Sequence, residues 1–380
     1  MTTSPLPHDV EAQVCPVVVH IISHFDMGGA ERIAASLAMD SQVDAHVVEI
    51  MRGRSAYTRS FINELQDAGV HVHRAWMPDI RWHFLFERLT ALLFPLRFLF
   101  TCLRYRPQVL HVHTEGPDMC AVAFLTLFPY WRKRMRVVRT IHNTQLWTGQ
   151  RRIGGWVERF YGRHAVGVAI SQSVLGAYEA KWGHAHTIIY NGVGRTVQQP
   201  YPHLVPGKMN ILFCGRLEAQ KGVQTLIDVI RRVGADGSCP YHFHIHGDGS
   251  LRPLVEAGLA GLPCVSLRPP LHGMAAYLGA FDYLFMPSQF EGLSTLSIEA
   301  SLASLPNIIN DAPGLGETLP PDWPLKVQGN DVDDFVSLFS QVLPSADRKQ
   351  LGQRAQAYAA EHFSLRAMQR AYIRLYRGDM

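Results

Sequence analysis

Short runs of continuous apolar residues alternate along this chain with longer stretches of helical period. VVVHII (Val17 to Ile22), AHVVEI (Ala45 to Ile50), VLHVH (Val109 to His113), RVVRTI (Arg136 to Ile141) and AVGVAI (Ala165 to Ile170) read as strands. Their hydrophobicity is continuous rather than alternating, which predicts strands covered on both faces, as in a parallel sheet. A glycine turn, FDMGGAE, and a helix, ERIAASLAMD, follow the first strand. This is the βαβ order of a doubly wound fold.

The rhythm stops at GRTVQQPYPHLVPGK (Gly194 to Lys208), which carries three prolines and no periodicity. It predicts an interdomain linker. The pattern then restarts. NILFCG (Asn210 to Gly215), YHFHIHG (Tyr241 to Gly247), Cys264 to Leu267, Tyr283 to Met286 and Asn307 to Asn310 are expected strands. Val223 to Val233, Ser250 to Gly258, Ser345 to His362 and Leu365 to Tyr376 are expected helices. The expected class is α/β, with Rossmann-like domains at 1–193 and 209–360, a linker at 194–208, and a closing helix at 361–380 that packs back toward the first domain. Ligands of open parallel sheets sit at the carboxyl ends of the strands, so the expected site is the cleft between the domains.

Composition narrows the classes. With 380 residues, 47% of them hydrophobic, the chain is long enough for two domains and too apolar to be disordered. Formal charge is +4, too mild to argue for a nucleic-acid partner. The excess is lopsided: residues 1–200 hold 21 basic and 15 acidic groups, so an anionic partner surface belongs to the first half. The six cysteines form no C-x-x-C pair, which fits a reducing cytoplasm better than a disulfide or zinc framework. The N-terminus lacks the basic and apolar regions of a signal peptide. The best transmembrane candidate, Trp82 to Leu103, is broken by Glu87, Arg88 and Arg97.

The densest chemical signal is MPSQFEGLSTLSIEASLASLP, Met286 to Pro306. A strand ends near Met286, a loop carries Glu291 and Gly292, and a helix starts near Ser294 or Thr295. Backbone N–H groups at such a start suit a diphosphate, and Gly292 lets the backbone approach it. Glu291 and Glu299 can point into one pocket from different heights and accept sugar or ribose hydroxyls. In FCGRLEAQKGVQTLI, Arg216 and Lys221 lie between a strand end and the next helix. Arg by its fork and Lys as a point charge would grip a pyrophosphate. Taken singly, these residues also fit a capping acid and a solvated loop. Together they describe a nucleotide-diphosphate site.

GRLEAQKG and FEGLSTLSIEA carry a resemblance to the GT-B glycosyltransferases of family 4, retaining enzymes with an E-x7-E motif. The weaker pieces GGAER, LHVHT, AISQS, YNGV, HGDGS and PGLGE extend it from Val17 to Tyr376. The resemblance implies a GT-B fold and a UDP- or GDP-sugar co-substrate, with no other cofactor. It implies that Arg216 and Lys221 bind the donor diphosphate and stabilise the leaving nucleotide. Glu299 would accept from the ribose and Glu291 from the donor sugar. Amides around Leu293, Ser294, Thr295 and Leu296, after Gly292, would hold phosphate and sugar oxygens, and Gly215 lies at the first loop's entrance. Gly28 and Gly29 would approach the donor across the cleft, and His142 would reach the sugar near the reacting carbon. The acceptor hydroxyl attacks the face the nucleotide leaves, so no protein nucleophile is implied. Ser304 departs from the family pattern, where glycine is usual, and NIIND (Asn307 to Asp311) replaces a more apolar run.

Competing readings lack their signatures. A dinucleotide dehydrogenase wants G-x-G-x-x-G after its first strand. His242, His244 and His246 share a strand face, but no carboxylate or cysteine partner is evident, so no metal is expected. A GT-B sugar-nucleotide 2-epimerase and a catalytically silent scaffold share the fold; the Arg216, Lys221, Glu291 and Glu299 set speaks for transfer. The aromatic and basic segments 82–106 and 124–136 suit either a covering helix or an anionic membrane surface. The membrane reading makes a glycan or polyprenyl-linked sugar the acceptor and places the protein on the inner face of the plasma membrane, in surface-polysaccharide synthesis.

Overall fold

The computed structural model describes residues 15–26, 28–53, 55, 57–76, 83–183, 187–235 and 239–379; for 83–91 only the backbone course is described. The expected N-terminal segment 1–14 and Trp82 lie outside these residues.

Among the described residues thirteen strands follow in chain order: β1 (Val17–Ile22), β2 (Asp44–Glu49), β3 (His71–His73), β4 (Val109–His113), β5 (Arg136–Ile141), β6 (Val166–Ala169), β7 (Thr187–Ile188), β8 (Met209–Cys214), β9 (Tyr241–His246), β10 (Val265–Arg268), β11 (Tyr283–Met286), β12 (Asn307–Asn310) and β13 (Lys326–Val327). They form a seven-stranded sheet, β3-β2-β1-β4-β5-β6-β7, and a six-stranded sheet, β10-β9-β8-β11-β12-β13. The registered pairs run parallel, as continuous hydrophobicity requires. In each sheet the order reverses at the first strand, the doubly wound arrangement.

Most expected boundaries hold to within a residue, with differences at helix starts. The helix expected from Ser250 begins at Arg252, and the one expected from Ser345 begins at Arg348, because Leu343–Ser345 form a separate 3-10 turn. The edge strands β3, β7 and β13 go beyond what the sequence pattern predicts, because at two or three residues they are too short to show a period. Residues 194–208 contain no helix or strand.

By contacts the chain divides into two units, one of 1–139, 163–165 and 372–380, the other of 140–162 and 166–371. In the first, Ile22, Phe25, Ala34, Val47, Phe61 and Leu65 pack the helix Gly29–Ala38 onto the sheet. Asp118 and Arg139 form a buried ion pair there at 2.7 Å. Tyr376, on the last helix, bonds His111 Nδ1 at 2.7 Å. In the second unit Ile211, Phe213, Leu226, Ile245, Phe285, Ile309, Phe335 and Phe339 build the core. Among the described residues, no helix is long and apolar enough to cross a membrane.

Candidate active site

The site is built in the second unit from loops that leave strands at their carboxyl ends. β8 ends at Cys214, and the chain passes Gly215 and Arg216 to the 3-10 turn Ala219–Lys221. Gly222 then starts the helix Val223–Val233 with φ +68°, a left-handed conformation. A Cβ there would lie 1.8 Å from the carbonyl oxygen of Pro287. Only glycine meets both demands, so the lysine loop is pressed directly against the strand that feeds Glu291.

Contact between those loops is polar as well. Gln220 donates its amide to the Phe290 carbonyl at 3.1 Å, and Gln289 N–H returns a bond to the Gln220 carbonyl at 2.8 Å. Lys221 Nζ lies 2.6 Å from Glu291 Oε1, with both side chains largely buried. Arg216 is exposed, and its guanidinium donates to Gln220 Oε1 at 3.3 Å. The structure therefore brings Arg216, Lys221 and Glu291 together through Gln220, a residue that sequence reasoning did not single out.

Behind Glu291 lies the turn PGLGE. Glu291 N–H donates to the Pro313 carbonyl at 2.9 Å, and Ser294 N–H to the Gly314 carbonyl at 3.0 Å. Gly314, at φ +70°, would place a Cβ 2.2 Å from the Glu291 carbonyl oxygen. Ser294 caps the helix Thr295–Leu302, its Oγ accepting from Ser297 N–H. Helix geometry leaves the N–H groups of Thr295 and Leu296 without an acceptor one turn back, aimed out of the helix start. Leu293 is buried.

Glu299 follows one turn into this helix and is half-buried. Its carboxylate acts on Cys214 from the same strand end as Lys221: burial first, then Glu299, pushes that thiol up to about 12, against the opposing pull of Lys221. Glu299 and the lysine loop thus flank one strand terminus.

His142 directly follows β5, and a Cβ on Gly292 would sit 1.9 Å from its carbonyl oxygen. Ser171 Oγ donates to the Gly292 carbonyl at 2.6 Å, and Gly314 N–H donates to Ser173 Oγ at 3.0 Å. Glu317 accepts from Gln172 N–H at 3.0 Å and Ser173 N–H at 3.2 Å, capping the helix Gln172–Trp182. Burial lowers His142 to about 4, so its ring is neutral near pH 7. Ser171, Ser173, Gly314 and Glu317 join the site although the candidate set omitted them. Their signal was present in AISQS and PGLGE, but nothing local joins residues more than a hundred positions apart.

Gly28 and Gly29 belong to the first unit, where they start the helix Gly29–Ala38. A Cβ on Gly28 would meet the buried Glu31 carboxylate at 2.1 Å. Burial raises Glu31. The strand histidines each take a separate partner: His242 meets Ser266 Oγ at 2.8 Å, His244 meets Asn210 Oδ1 at 2.8 Å, and His246 meets the Tyr201 hydroxyl at 2.7 Å.

The departures also have physical accounts. Ser304 lies at φ +59°, the conformation that favours glycine. In β12, Asn307 donates to Ser301 Oγ at 3.0 Å and Asn310 to the Ser288 carbonyl at 2.9 Å, so both side-chain amide nitrogens find acceptors, while Asn307 Oδ1 is buried without a partner.

Two parallel doubly wound sheets, with a basic loop and an acidic loop at the carboxyl ends of the adjacent strands β8 and β11, have the architecture of the GT-B glycosyltransferases. A family model described as Glycosyltransferase Family 4 matches residues 27–196, and one described as Glycosyl transferases group 1 matches 208–344. The chain belongs to this glycosyltransferase family. An uncharacterised glycosyltransferase of Methanocaldococcus jannaschii is 23% identical over 266 residues, covering 66% of this chain and 70% of that protein. HepE of Anabaena, crystallised with UDP and glucose, superposes with TM-score 0.74 at 15% identity, over 95% of this chain and 99% of its own. A lipopolysaccharide outer core galactosyltransferase superposes with TM-score 0.66 at 17% identity, over 96% and 100%.

Proposed function

We propose that this chain is a retaining glycosyltransferase that moves a sugar from a nucleoside-diphosphate donor to a glycan or polyprenyl-linked acceptor in surface-polysaccharide synthesis. The observation that carries the reading is the Lys221–Glu291 pair, 2.6 Å apart beside the start of the helix Thr295–Leu302. Before the donor arrives, the carboxylate holds the ammonium in place. A diphosphate brings stronger acceptors, and Lys221 and Arg216 with the helix N-terminus then meet the charge that grows on the leaving nucleotide. Glu291, released from the lysine, accepts from donor-sugar hydroxyls. Glu299 accepts from the ribose. Gly292 keeps the loop low enough for the sugar to pass. His142, neutral, donates or accepts a hydrogen bond without contributing charge.

Three fixed positive sources supply the stabilisation, so transfer requires no divalent ion. The acceptor proton leaves with the β-phosphate, and no protein nucleophile takes part. A UDP- or GDP-sugar is the donor; the UDP named in the HepE structure supports the former. The galactosyltransferase of lipopolysaccharide outer core that shares the fold supports a surface-glycan role.

The acceptor side rests on a separate observation. The helix His83–Tyr105 exposes Leu92 (69%), Leu96 (59%), Phe100 (67%) and Leu103 (59%), at helical spacing along one face. Leu127 and Tyr130 are also exposed, and Arg132, Lys133 and Arg134 follow on the helix Pro129–Arg134. An apolar stripe and a basic cluster in one unit suit an anionic membrane carrying a lipid-linked sugar.

The test incubates the full chain with UDP- and GDP-sugars and candidate acceptors, with magnesium and with excess chelator. Nucleotide release, product formation with the donor's anomeric configuration, and insensitivity to chelator are expected. A sugar nucleotide returned as its epimer without transfer would replace this reading by the epimerase one.

A further inference from the structure

Among the described residues, two clusters of metal-ligating side chains lie outside the donor loops: His20, His111 and His113, and Asp44, His46 and His71. The first is sealed within the sheet, its three rings buried and His20 Nδ1 only 3.2 Å from His113 Nε2. A hydrated ion has no direct access to it. The second stands at the sheet margin and is open to solvent.

Parallel register assembles the second cluster. Asp44 and His46 are two residues apart on β2, so they share a face. His71 opens β3 directly across from His46. Asp44 Oδ1 lies 3.6 Å from His71 Nε2 and 3.8 Å from His46 Nε2. All three ligand atoms fall within 4.8 Å of one another. Ligands bound at about 2.0–2.1 Å in a tetrahedron are roughly 3.3 Å apart, so the two distances from Asp44 close by a few tenths of an ångström, while the His71 ring must turn out of its stack on His46 to bring both imidazole nitrogens onto one ion. The movable arms are available, because the Asp44 and His71 side chains are 48% and 54% exposed.

His46 is the fixed member. Its ring is buried, stacked on His71 with centroids 4.6 Å apart and packed against Tyr105 at 4.2 Å. His46 Nδ1 is bonded to His73 Nε2 at 3.0 Å, while His46 Nε2 is buried with no hydrogen-bond partner. Leaving a buried polar atom unsatisfied is unfavourable. When Nδ1–H donates to His73, Nε2 presents its lone pair toward Asp44 and His71. This is the outer-shell bond that orients a ligating imidazole.

We propose that Asp44, His46 and His71 form a binding site for a divalent transition metal. Two imidazoles and one carboxylate favour zinc, cobalt or nickel over magnesium or calcium, and leave a fourth position to water. Asp44 and His71 each begin their strands, at the amino ends of β2 and β3. The ion is therefore a clip fastening the three-residue edge strand β3 to β2.

The experiment uses the full chain without a histidine tag, stripped with chelator and dialysed. Cobalt is titrated while its visible ligand-field absorption is followed, and zinc is titrated by calorimetry and by the rise in Tm. One equivalent should bind with a Kd on the order of micromolar. Asp44→Asn and His71→Gln, both at exposed side chains, should keep the Tm of the stripped native protein and each weaken binding roughly 10-fold or more. Absence of saturable binding by the native chain, or unchanged affinity in both variants, would overturn the site.

Discussion

Lys221 Nζ and Glu291 Oε1 lie 2.6 Å apart, joining two loops separated by 70 residues. Each group is the other's counter-ion. Lys221→Ala should lower transfer roughly 100-fold or more by removing preorganised positive charge, and should also lower Tm because Glu291 loses its partner. Arg216→Ala should lower transfer similarly while leaving Tm nearly unchanged, since Arg216 is exposed. Nucleotide-release kinetics and thermal melts of both proteins separate the two effects. Near-normal turnover in both would remove these residues from the donor site.

Gly222 combines positive φ with a backbone oxygen where a side chain would be. Gly207, at φ +73°, has nothing within 4 Å of its hypothetical Cβ. Gly207→Ala should therefore cost about 1–2 kcal/mol, the conformational term alone. Gly222→Ala should cost clearly more, because Pro287 must move. Urea unfolding of the two variants measures the difference, and equal midpoints would show that the Pro287 contact yields freely.

Ser304 presents the reverse case. It adopts φ +59° without being glycine. Ser304→Gly should raise stability by roughly 0.5–1 kcal/mol, the conformational relief exceeding the extra freedom of the unfolded chain. A lower urea midpoint would mean that the serine side chain contributes more than its backbone costs.

Burial holds His20 at about 3, His142 at about 4 and His244 at about 3. In the unfolded chain each titrates near 6.5. Below that pH the unfolded state binds protons that the folded state refuses, so stability falls as pH drops from about 6.5 toward 4. The slope reaches roughly 1.4 kcal/mol per pH unit for each histidine. Urea midpoints compared at neutral pH and near pH 5 should show this loss, and identical midpoints would contradict it.

The exposed stripe and basic cluster should bind anionic vesicles at low salt and release them as salt rises. Neutralising Arg132, Lys133 and Arg134 should weaken binding by about 1 kcal/mol per charge. Leu96→Ser with Phe100→Ser should weaken it at every salt concentration, because the apolar contribution is not screened. Co-sedimentation with anionic and neutral vesicles distinguishes the two parts. Failure of the native protein to bind anionic vesicles would favour a soluble acceptor and leave the donor site intact.

The sequence by itself determined element type and order. VVVHII, VLHVH, RVVRTI and YLFM became strands because largely continuous apolar residues suit a sheet covered on both faces, a signal contained in each short window. It also placed a glycine, a cation and a helix start within a few residues of one another, at Gly215, Arg216, Lys221 and Val223. HVH, TI and KV were too short to show a period and became strands only by pairing with a neighbour. Tertiary structure decided that Lys221 meets Glu291, that PGLGE supports Glu291 from behind, that Ser171 holds Gly292, and that Asp44 and His46 meet His71. The physical reason is the parallel sheet. Each pair of neighbouring strands is separated along the chain by a crossover, so residues that touch across it are tens of positions apart, and register and loop packing set their distances.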